Sequence, residues 1–128
     1  MNVLIVALDT AGSPAVGDAE VLVVAPALNS RLRHWLSDED GARRKAGERA
    51  AACVDQMEEA GAHVRGTVGD ADPVQAIADA LATFAADEIV IASHTDRTHR
   101  LAEKLASRAR KRFALPILHA EEPLPHAA

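Results

Sequence analysis

From Ser93 to Arg100 the chain reads Ser-His-Thr-Asp-Arg-Thr-His-Arg, a run rich in side chains that can do chemistry. His94, Asp96 and His99 carry metal-ligand donor atoms, and His34 would supply a fourth. Their spacing matches no established metal motif, so solvated surface histidines are the simpler expectation. Arg97 and Arg100 offer more, because a guanidinium fork recognises phosphate or carboxylate without a glycine-rich backbone cradle. The competing reading is a solvated loop. Asp9 closes the first apolar run of the chain and is followed by Thr10 and Ser13 in a turn-forming stretch. There it either contacts a ligand or caps its own turn. Arg31, Arg33, His34 and Trp35 form a third concentration. Trp35 reads as a hydrophobic staple onto the helix that follows, with an aromatic lid or partner anchor as the alternative. No nucleophile, base and orienting acid stand at a recognisable motif spacing, so the sequence supports no enzyme.

These residues are positioned by alternating strand and helix signals. Val3–Leu8 and Val21–Ala25 are near-continuous apolar runs, as in strands buried on both faces. Between them Gly12, Pro14 and Gly17 leave little room for a multi-turn crossover, so the first helix is expected to be short or missing. Ser37 is placed to cap a long helix whose stripe is Ala46, Ala50, Cys53, Val54, Met57 and Ala60, ended by Gly61. His63–Val68 follows as a third strand. Asp72 and Pro73 then start a helix with Val74, Ile77, Leu81 and Phe84 on one face, and Asp87 and Glu88 end its register before the strand Ile89–Ile91. A last helix, capped at or near Thr98, buries Leu101, Leu105, Ala109 and Phe113, and Pro116–His119 forms a short fifth strand. The pattern calls for a three-layer α/β/α sandwich around a mostly parallel five-stranded sheet.

Length suits a single domain over residues 1–120, with 121–128 as a flexible tail. The single cysteine, Cys53, cannot form an intrachain disulfide and reads as a small core residue in a reducing cytoplasm. A net charge of -5 and 2% aromatic residues argue against nucleic acid as a partner, although basic residues crowd the last helix. The amino-terminal run breaks at Asp9, too soon for a signal peptide or a membrane span.

In order and spacing these segments resemble the universal stress protein family, a branch of the adenine-nucleotide-binding α/β folds. The resemblance spans nearly the whole chain. It rests on Val3–Asp9 followed by Thr10, the Gly69-Asp70 turn before a proline-started helix, Ile91-Ala92-Ser93, and Leu115-Pro116-Ile117-Leu118. It implies a strand order of 3-2-1-4-5, with Asp9 and Ser93 facing one crevice and Asp9 as the base-recognition residue. It also implies ATP or another adenine nucleotide as ligand. Nucleotide-binding members carry glycines after the fourth strand, where backbone N–H groups close around a triphosphate. Here no glycine follows Gly69, and Glu103-Lys104 stand where the family's Gly-Ser pair would fall. The expected protein is therefore a universal-stress-like binding or regulatory module without the triphosphate loop. It is expected to form a homodimer through its fifth strand and to hold a small anionic or nucleotide ligand with Asp9, Thr10, Ser13, Ser93, His94, Arg97 and Arg100. The alternative is an ATP- or AMP-binding stress-response regulator using Asp9 and the Ser93–Arg100 loop.

Overall fold

A computed structural model describes residues 1–9, 19–28, 39–93 and 96–121. The expectations for Thr10, Ser13, the first crossover, Arg31, Arg33, His34, Trp35, Ser37, His94 and residues 122–128 lie outside that set. The strands are β1 (Asn2–Ala7), β2 (Glu20–Pro26), β3 (His63–Gly69), β4 (Glu88–Ser93) and β5 (Ile117–Glu121). The helices are α1 (Glu39–Glu59), α2 (Pro73–Thr83) and α3 (Asp96–Arg112). The strands form one sheet in the order β3-β2-β1-β4-β5, and all four neighbouring pairs are parallel.

The apolar runs of the central strands are continuous because both sheet faces are covered. Side chains alternate along a strand, so Leu4 and Val6 go to one face and Val3 and Ile5 to the other. On the first face they meet Val74, Ile77 and Phe84 around α2, and Leu105 and Ala109 of α3. On the second they meet Ala42, Ala46, Ala50, Cys53 and Met57 of α1. Leu4, Ile5 and Ile89 are completely buried, each worth roughly 1.5–3 kcal/mol of hydrophobic stabilisation. Cys53 is a core residue, as its place in the apolar stripe requires. Ala60, at the end of the expected stripe, is exposed because the helix closes there. Gly61 adopts φ +89°, and N–H bonds from Gly61 to the Glu58 carbonyl and from Ala62 to the Met57 carbonyl complete a Schellman cap.

Asp72 caps α2 by accepting from the Val74 N–H at 3.0 Å, with Pro73 at the first helical position. The helix ends at Thr83, before the expected boundary at Asp87 and Glu88. Phe84 leaves the helix in an extended conformation that still buries its ring in the core. Asp87 has a different task. Its carboxylate accepts from the Asn2 backbone N–H at 2.7 Å and its own N–H returns a bond to the Asn2 carbonyl, tying the start of β4 to the start of β1. At the other end of the sheet, β5 runs to Glu121 rather than His119. Its register against β4 pairs Glu121 with Ser93, which brings into the strand a residue expected in the tail. Pro116 precedes it and offers its carbonyl to the Ile89 N–H at 2.9 Å, a role that needs no donor from proline.

Candidate functional site

Ligands of open parallel sheets bind beyond the carboxyl ends of the strands, where the strand order reverses. Here the reversal falls between β1 and β4. The two strands are still joined there, because the Leu8 N–H donates to the Ala92 carbonyl at 3.2 Å. Asp9 and Ser93 therefore stand at neighbouring strand ends, as expected. Asp9 is half-buried, and its Oδ2 accepts a hydrogen bond from Thr98 Oγ1 at 2.6 Å, in the short range of hydroxyl–carboxylate bonds. Thr98 is thus not the cap of α3. The helix begins at Asp96, and the Thr98 hydroxyl is turned onto the end of β1.

The second charged group of this crevice is Arg49, from the middle of α1. Its guanidinium donates through Nη2 to the carbonyl of Pro26, the last residue of β2, and so stands over the ends of the central strands. Burial pulls its pKa below the ordinary arginine value, and the negative charge of Asp9 opposes that shift. Arginine stays protonated across the physiological range, so the site holds a cation stripped of part of its water. Its Nε is buried without a hydrogen-bond partner. Arg49 was not among the residues singled out from the sequence. The available signal was its position three residues after Ala46 and four before Cys53, which sets an arginine within the small-residue stripe of α1.

Ser93 is the one buried polar residue among those described, 3% exposed, and its Oγ lies 2.6 Å from His119 Nε2 on β5. The His119 ring packs against that of His99, with centroids 5.1 Å apart and planes tilted by 38°. His99 Nε2 in turn meets Glu103 Oε1 at 2.9 Å. Consecutive residues of α3 therefore reach opposite ways: Thr98 to Asp9 beyond β1, His99 to His119 on β5. Arg100 is exposed. Arg97 lies in the first turn of α3, and its side chain is outside the described set. Among the described residues no group of three His, Cys, Asp or Glu side chains could hold a metal ion.

An open cleft of about 640 Å³ lies elsewhere, between edge strand β3 and α2, lined by Arg43, Arg65, Thr67, Asp70, Asp79 and Thr83. All six are exposed, so its charges are screened by solvent, and it is away from the strand reversal. The chemistry points instead to the crevice of Asp9, Arg49 and Thr98, where a carboxylate and a desolvated cation share one end of the sheet. Fold and site together define an open α/β sheet protein with its candidate ligand crevice at the point of strand-order reversal. Comparison with known protein families and with curated proteins found no match to the chain. No helix among the described residues is long and apolar enough to cross a membrane.

Proposed function

We propose that the chain is a universal-stress-like binding and regulatory module that takes a small anionic ligand between Asp9 and Arg49 and works as a homodimer. The observation that carries this reading is at the switch point: the Asp9 carboxylate, held by Thr98, acts electrostatically on a half-buried guanidinium whose Nε has no hydrogen-bond partner among the described residues. Arg49 supplies the positive charge that the family's glycine loop would supply through backbone N–H groups, but as a single fork suited to one phosphate or carboxylate. A triphosphate would need more donors than this. A mononucleotide such as AMP fits the reading, with Asp9 accepting from the base or sugar and Arg49 on the phosphate. The second reading, an ATP-binding regulator, is favoured by the neighbouring strand ends that carry Asp9 and Ser93. Calorimetry with AMP, ATP with magnesium, and inorganic phosphate separates the two. The expected order is AMP above ATP, with binding lost in Asp9→Ala and in Arg49→Met. Tight ATP binding that Arg49→Met leaves unchanged would establish the second reading, and no binding of any of the three would remove the site.

The dimer is assigned to β5, an edge of the sheet. Leu118 on that strand is 50% exposed, one of two large hydrophobic residues exposed among those described. Pairing with a second copy is one way to cover an edge strand that carries an exposed leucine.

A further inference from the structure

Ser93 and His119 are brought together by the fold in a way that the ligand crevice does not use. In the parallel register Ile91 pairs with His119 and Ser93 with Glu121, so Ser93 and His119 share the sheet face that α3 covers. Their Oγ and Nε2 atoms are 2.6 Å apart, the separation of a nucleophile and its general base. Ser93 ends β4 and α3 begins three residues on, at Asp96, so along the chain the serine comes shortly before the positive end of a helix dipole. That end favours negative charge developing on oxygen. The His119 ring packs on that of His99, itself tied to Glu103, and acts as base in the tautomer that leaves Nε2 unprotonated. His119 is half-buried and Ser93 buried, which favours a small acyl group as the electrophile.

We propose that Ser93 and His119 form a nucleophile–base dyad that accepts a small acyl group from an activated ester. Ser93 Oγ attacks the acyl carbonyl carbon, and the hydroxyl proton passes to His119 Nε2 as the Oγ–C bond forms. Collapse of the tetrahedral adduct breaks the bond between the acyl carbon and the ester oxygen, and that oxygen leaves with the proton returned by Nε2. Water, deprotonated by the same nitrogen, then attacks the acyl-serine, releases the carboxylic acid and restores the hydroxyl.

A buried serine also needs a hydrogen-bond partner for structural reasons alone, and His119 satisfies it. Covalent chemistry separates the two roles. The full chain is treated with p-nitrophenyl acetate and, separately, with a fluorophosphonate probe, and the modified residue is located by peptide mass mapping. The expected result is an adduct on Ser93, absent in Ser93→Ala and formed roughly a hundredfold more slowly in His119→Gln, the loss typical of removing a general base. No adduct on Ser93 in the wild-type chain, or an equal labelling rate in His119→Gln, overturns the proposal. Mapping on the wild-type chain needs no variant, so the test stands even where a substitution prevents folding.

Discussion

Arg49 shows what a single residue does in this protein and what it costs. A guanidinium half-withdrawn from water is tolerable only with compensation, and the Pro26 carbonyl and the charge of Asp9 provide it. Arg49→Ala removes a charged hydrogen bond to that carbonyl and is expected to lower stability by about 1.5–3 kcal/mol in urea unfolding. Arg49→Lys keeps the charge but not the fork, so it should retain most of that stability while weakening anion binding. The sequence reading found Asp9 and Ser93 because strand ends are legible from where apolar runs stop. It missed Arg49 and the Ser93–His119 contact, because each depends on packing between elements far apart in the chain. The cap expected at or near Thr98 falls before Asp96 for the opposite reason. A threonine near a helix start is a local signal, and its bond to Asp9 is not.

At the scale of elements, the edge strand β3 fits its neighbours only because two of its residues lack a Cβ. A Cβ on Gly66 would stand 2.9 Å from Val54 Cγ2 on α1, and one on Gly69 would stand 2.7 Å from both Ala76 Cβ and Val24 Cγ2. Gly66→Ala is expected to cost about 1–3 kcal/mol, the usual range for overpacking, and Val54→Ala in the same chain should recover part of the loss. Gly69→Ala has no such relief, since one clashing atom is already the Cβ of an alanine, and it should be the more damaging of the two in thermal unfolding. Asp72→Ala removes the α2 cap and should cost about 1 kcal/mol. That cap was readable from Asp72-Pro73 alone, because capping chemistry is local. The end of α2 and the length of β5 were not. Phe84 leaves its helix to fill the core, and β5 runs as far as β4 offers a partner, so both limits are set by tertiary contacts.

For the whole molecule the order β3-β2-β1-β4-β5 puts the candidate crevice between β1 and β4 and the proposed dimer edge, β5, on the far side of β4. The strand order expected from the family resemblance is the one observed. Leu118→Glu puts a charge on the β5 edge and is expected to shift light scattering at high micromolar concentration from dimer to monomer, with an unfolding midpoint that no longer depends on protein concentration. A wild-type chain that scatters as a monomer under the same conditions would remove the dimer. The contacts of α3 join these two regions. Thr98 and His99 are adjacent, one fastened to the centre of the sheet and the other to its rim, so α3 spans β4 as a yoke. Under the proposed function, a ligand that took the Thr98 hydroxyl's place on Asp9 would pull on the same turn that holds His119. Any effect of such a ligand on pairing at β5 would then be matched, by the same factor, by the effect of pairing on the ligand's affinity.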